Sequence, residues 1–206
     1  MSDDQMLDPS AAAALLKQAQ DHARGEFAIK QPLLYAAWGV AWFIGTSAMW
    51  LSVRGQHPYR GPAGWSVAIL IVLIVAAIAA TVYITSRATW GVGGTSARQG
   101  TIFGLCWPAG FVALFLVEGA LSHAGASASV MGVVGAVGPL LVTGLIYVTA
   151  AAMWVDWTML VLGGWLLVVA AAGGWAGPVG ALAVDALAGG GGFLAAAAFV
   201  AWKKQG

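Results

Sequence analysis

Charge is what this chain has least of. Only 8% of its 206 residues are Asp, Glu, Lys or Arg, against about 25% in a soluble domain, so the polar surface that coats a water-soluble globule is missing. Cysteine and histidine are scarce as well. One Cys and three His cannot build a disulfide or zinc framework, and Cys106, inside an apolar run, reads as a small packing residue. No two histidines stand at i, i+4 as a haem or metal pair, and no lysine lies within a hydrophobic run where a retinal-type Schiff base would need one. Ser, His and acidic residues are too scattered for a hydrolytic triad. These absences lead us to expect no enzyme, no metal and no cofactor. A net charge of +1 gives no case for nucleic acid. The opening Met1-Ser-Asp-Asp-Gln-Met-Leu-Asp is acidic, the wrong composition for a cleavable signal peptide, so the first hydrophobic segment is expected to be retained.

What the chain does have is apolar length. Hydrophobic residues make up 60% of it, gathered in runs near the roughly 20 residues that cross a bilayer as a helix. The expected fold is all-α: a polytopic membrane protein with six transmembrane helices behind an N-terminal cytoplasmic amphipathic helix. The tail, 1–31, has Asp8 as a candidate N-cap, Pro9 at the first helical position, and Leu16, Ala19, Ala23 and Phe27 at helical spacing. That pattern fits a helix lying on the inner membrane face, with a solvated, partly frayed tail as the plainer alternative. Pro32 is expected to separate it from a transmembrane domain, 32–202, with spans near 33–53, 65–85, 101–121, 130–153, 158–175 and 178–202, before a short tail, 203–206. Span 2 is an almost unbroken Ile/Leu/Val/Ala run and is expected to face lipid. Ser86–Gly100 reads as a polar loop whose Gly91-Val-Gly-Gly-Thr-Ser lacks the Lys and the preceding strand of a phosphate cradle.

Six spans return the chain to the side on which it starts. Lys17, Arg24, Lys30, Arg87, Arg98, Lys203 and Lys204 fall on that side and only Arg54 and Arg60 on the other. This bias predicts a multi-pass chain with both termini cytoplasmic. Gly-x-x-Trp recurs at Gly39–Trp42 and Gly104–Trp107. As a repeat it would make the odd-numbered spans the inner helices, although residues this common recur by chance.

Two carboxylates lie within spans. At 1.5 Å per residue, Glu118 is about 6 Å inside the outer end of span 3 and Asp185 about 12 Å inside that of span 6. A carboxylate in hydrocarbon needs a partner or a proton, so proton exchange and cation binding are both available. Arg54, His57 and Arg60 in the first outer loop, with His123 beyond Glu118, complete a candidate outer vestibule. The plainer reading has Glu118 reaching to the interface and Asp185 making one structural hydrogen bond to a neighbouring helix or to Arg60. Asp185 is followed by Gly189, Gly190, Gly191 and Gly192, which weaken a helix by roughly 1 kcal/mol each. A tight crossing accounts for Gly189 and Gly192. Four glycines exceed what one crossing needs, so a hinge or a locally opened helix is the alternative. Gly132, Gly135 and Pro139 in span 4 are expected to let another helix approach and to kink the span. Trp154, Trp157, Trp175 and Trp202 fit interfacial belts; Trp42, Trp107 and Trp165 read as packing residues.

Tyr35-Ala-Ala-Trp-Gly-Val-Ala-Trp42, Gly144-Leu-Ile-Tyr147, Ala151-Ala-Met-Trp-Val-Asp156 and Asp185–Leu194 resemble a group of small six-span bacterial membrane proteins often labelled transporter or ABC-transporter permease. The resemblance implies a transport component and carries over no functional residues. The leading expectation is therefore the membrane subunit of an exporter working with a separate cytoplasmic ATPase, with Arg87 and Arg98 as candidate contacts. The alternatives are a sensor or accessory subunit that binds a cytoplasmic partner through its N-terminal helix, and a proton-coupled carrier of small solutes using Asp185. Beyond the lipid bilayer, the candidate partners are an ATPase or other protein subunit and a second copy of the chain.

Overall fold

The structure, a computed structural model, describes residues 9–88 and 95–203. Among them every regular element is helical: α1 (Pro9–Val53), α2 (Gly64–Ala88), α3 (Thr95–His123), α4 (Ala128–Trp154), α5 (Trp157–Trp175), α6 (Gly177–Val184), a π-helical segment (Asp185–Gly190) and α7 (Gly191–Lys203). The last three form one continuous rod. Six stretches are long and apolar enough to cross a membrane: Lys30–Val53, Gly64–Arg87, Arg98–His123, Ala128–Trp154, Trp157–Trp175 and Gly177–Lys203.

Two expectations about the elements change. Pro32 does not end a helix, because α1 runs through it. Proline removes the donor to the carbonyl four residues earlier, and at position 32 that carbonyl belongs to Ala28, just before the apolar stretch begins, so little is lost. Pro108 and Pro139 likewise stand inside unbroken helices. The polar loop expected at Ser86–Gly100 shrinks, because α2 continues to Ala88 and α3 begins at Thr95. Most of its glycine cluster, and the side chains expected to form the amphipathic face of the tail, lie outside the described residues.

The last span is the inner rod of the bundle, packed among α1, α4 and α5. Small residues make this closeness possible. A Cβ on Gly163 would fall 2.8 Å from the Val148 nitrogen and 2.9 Å from the Gly144 carbonyl oxygen, so α4 and α5 meet backbone to backbone, as small residues allow in membranes. Helix α2 lies along α1 at the edge, as its unbroken apolar sequence predicts. Helix α3 lies along α4 and meets α1 through the stacked pair Trp38–Trp107, 6.3 Å between rings. An arrangement with odd-numbered spans inside is therefore not observed: span 3 is peripheral and span 6 is central.

Two apolar clusters fill the interior. One gathers Tyr35, Trp42, Leu140, Leu162, Leu166, Phe193 and their neighbours. The other, nearer the end carrying the 54–63 loop, gathers Val53, Ala136, Ala181 and Leu182 under Trp50 and Tyr59. Asp185 lies between the two along the last span.

Candidate functional site

The site begins with a turn. Gly177 takes φ +72° and Pro178 occupies the first turn of α6, so the chain reverses and re-enters the bundle within two residues. Ala181 and Leu182 then bury against Val53 and Ala136. At Asp185 the helix widens into the π segment. An extra residue per turn re-phases everything that follows, which is how π segments re-aim side chains and why they gather at functional sites.

The glycine run explains itself once its neighbours are known. A Cβ on Gly189 would fall 2.7 Å from Asp185 Oδ1 and 3.2 Å from Leu140 of α4. One on Gly190 would fall 2.5 Å from the Phe43 nitrogen and 2.7 Å from its Cα on α1, and one on Gly192 would fall 2.6 Å from the Trp165 ring of α5. Three glycines thus admit three different helices, and only Gly191 faces open space. Where one tight crossing was expected, three contacts surround one rod, and the helix stays continuous through a π segment.

Trp165 supplies a tie that sequence reasoning missed. Its Nε1 donates to the Ala188 carbonyl oxygen at 2.8 Å, while the same carbonyl accepts the Gly191 amide. An indole that read as simple packing therefore fastens α5 to the π segment. No sequence signal marks this bond, because it depends on the phase that the π turn imposes.

Asp185 itself is 1% exposed. Its Oδ1 is, among the described residues, the one buried side-chain oxygen or nitrogen with no hydrogen-bond partner, although nine in ten or more such groups are paired in native structures. The expected structural bond to a neighbouring helix or to Arg60 does not form at this oxygen. On α1, which lies along the π segment, the buried Thr46 hydroxyl donates to Trp42 of its own helix at 2.6 Å. Toward the termini lies a cluster of aromatic rings. Tyr147 stands 5.8 Å from Phe193, 5.9 Å from Trp107 and 6.3 Å from Tyr35, centre to centre.

Toward the loop end Tyr59 packs against the second apolar cluster. Its ring fills the notch left by Gly132, where a Cβ would fall 2.6 Å from the phenol oxygen. Burial pushes the Tyr59 phenol above its ordinary pKa. Gln56 holds the loop's shape, donating to Gly61 at 2.9 Å and accepting from the Arg60 amide at 2.8 Å. Gly132, expected to seat a helix, seats this loop instead.

The proposed vestibule is not assembled. Arg54, His57, Arg60 and His123 are exposed, and Glu118 is half-buried on α3, its Oε1 4.0 Å from where a Cβ on Gly135 would lie. Helix α4 separates Glu118 from the last span, since α3 makes no backbone approach to that span among the described residues. Lying in the same outer half of the membrane therefore does not bring the two carboxylates together. Arg87 and Arg98 are exposed at the other end, with Arg87 5.0 Å from the centre of the Tyr83 ring. At that end Asp156 caps α5, accepting the Thr158 amide at 2.8 Å and the Met159 amide at 3.2 Å. Its other oxygen accepts from Gln31 at 3.1 Å, tying α1 to the α4–α5 turn.

No family model, curated protein or solved structure matches the chain, so its chemistry is argued from this geometry alone. A carboxylate oxygen without a donor, enclosed between two apolar clusters, can take up a proton or a cation. No group of three or more His, Cys, Asp or Glu residues gathers anywhere among the described residues.

Proposed function

We propose that the chain is an integral membrane transport component, multi-pass in a bacterial inner membrane with both termini cytoplasmic, whose working element is the last span and whose charge-handling group is Asp185. The observation that supports this reading is the partnerless Oδ1 on a π-helical segment in the middle of the bundle. Ionisable groups at such depth are costly to keep and mark substrate or ion pathways by default. A structural role would supply the missing partner. The test is movement of a panel of small organic cations, anions and neutral solutes across vesicles reconstituted with the purified chain. The wild type moves at least one of them and Asp185→Asn moves none. Equal movement by the variant would remove Asp185 from the pathway, and no movement by either would remove the transport reading.

Arg87 and Arg98 favour a second, narrower reading. Both are exposed at the cytoplasmic ends of α2 and α3, flanking a short connection that a cytoplasmic ATPase subunit could grip. Under this reading an ATP-hydrolysing subunit co-purifies with the chain, and charge reversal by Arg87→Glu with Arg98→Glu releases it. A complex indifferent to both substitutions would count against it.

A further inference from the structure

We propose that Asp185 is a proton-binding site, so that the ion handled by the last span is H⁺ and not a metal cation. The inference deepens the transport reading and rests on it for its biological use. It stands on the shape and donor set around one oxygen.

A sodium or potassium ion stripped of water needs several oxygen ligands, calcium or magnesium needs about six or more, and zinc about four nitrogen, sulfur or oxygen ligands. The two clusters that flank Asp185 along the last span are apolar, and the buried polar side chains of α1 and α4 among the described residues are Thr46 and Thr143. Val53, Ala136, Ala181 and Leu182 lie on one side, and Leu140, Phe193 and their cluster on the other. Gly189, one turn further along the same rod, lies close enough that a Cβ there would fall 2.7 Å from Oδ1. On that side of Oδ1 stands a glycine, which has no side-chain oxygen to offer a cation. The Thr46 hydroxyl is committed to its own helix. A proton is the one cation that needs no shell. It neutralises the carboxyl and turns a bare acceptor into a donor, and helix carbonyls, each with a second lone pair, can receive it.

No fixed charge competes for that proton. Of the elements packed on the π segment, α5 and α6 carry no titratable side chain, and the rest of the π segment carries none but Asp185. Helix α1 brings Tyr35 and α4 brings Tyr147, both in the aromatic cluster on the terminal side, and α7 brings Lys203 at its far end. Lys30 stands at the same end of α1. On the loop side the titratable group is Tyr59, over Gly132. The aromatic groups nearest along the bundle are Tyr59 at one end and Tyr35, Tyr147 and Phe193 at the other.

The site can be read without knowing any solute, using dicyclohexylcarbodiimide on the whole chain in lipid vesicles. This apolar reagent attacks only protonated carboxyls: the acid proton passes to one nitrogen, the carboxyl oxygen adds to the central carbon, and the acyl group migrates to nitrogen as a stable adduct. The adduct is expected on Asp185 by peptide mass spectrometry, absent in Asp185→Asn and retained in Glu118→Gln. Its rate should fall with rising pH, about tenfold per pH unit beyond the midpoint, and stay unchanged when choline chloride is replaced by sodium, potassium or magnesium chloride. Protection by any of these salts at constant pH would make this a metal-cation site and overturn the proposal. So would a rate independent of pH, or a wild type labelled at Glu118 and never at Asp185. A chain that labels as expected yet moves no solute keeps the proton site and loses the transport reading. One that moves solute without a titrating adduct does the reverse.

Discussion

Gly190 and Gly191 are adjacent in sequence and opposite in consequence. An added methyl at 190 would meet the backbone of Phe43, which cannot rotate away, so Gly190→Ala is expected to lower stability by about 1–3 kcal/mol. At 191 the methyl meets nothing, and Gly191→Ala should be neutral or stabilising by up to about 1 kcal/mol, the ordinary helix preference of alanine over glycine. Thermal unfolding of the two variants in detergent checks the difference, and equal losses would mean that the rod does not sit against α1 as described. Tyr59 makes a prediction of another kind. Its folded pKa is raised, so its docking on Gly132 is fully present below the unfolded tyrosine value of about 10 and is lost as pH rises through the folded value. Tyrosinate absorbance and loop accessibility should change together in alkali, and Tyr59→Phe should abolish the alkaline change in accessibility. At this scale the sequence was partly legible. It showed that four glycines exceed one crossing and that Asp185 is deep. It could not show which helix each glycine meets, because the π turn shifts the phase by which faces are counted.

The elements were legible where hydrophobic length decides them and less so where local chemistry competes with it. All six spans fall within a few residues of their expected limits because apolar runs set them. The break expected at Pro32 failed because a proline near the start of the apolar stretch leaves only one carbonyl without its donor and need not end a helix. The tie from Trp165 to Ala188 is a property of two elements together, and its removal by Trp165→Phe is expected to cost about 0.6–2 kcal/mol, the range for interhelical hydrogen bonds in membranes. Because the bond fastens the π segment and leaves Asp185 untouched, the substitution should also quicken carbodiimide labelling of Asp185 by loosening the segment. A variant as stable as the parent, with the same labelling rate, would show that the bond holds nothing.

For the whole molecule, the arrangement that matters was hidden in the sequence. Depth can be counted along a helix, which placed Glu118 and Asp185 in the same outer half of the membrane, but neighbours around the bundle cannot be counted, and α4 stands between them. The charge bias did suggest which way the bundle faces. In a chain with Cys106→Ser, a membrane-impermeant maleimide added to intact cells should label His57→Cys and leave Lys203→Cys unlabelled, and the reverse pattern would invert the topology. The bundle as a whole also carries the cost of its central residue. A buried carboxylate with a partnerless oxygen contributes nothing to holding helices together, and removing such a group is neutral or stabilising. The most direct measurement is therefore the thermal unfolding midpoint of Asp185→Asn in detergent at neutral pH. If Asp185 is kept for function, the midpoint equals or exceeds that of the wild type. A fall of several degrees would make the carboxylate a structural tie and contradict the account.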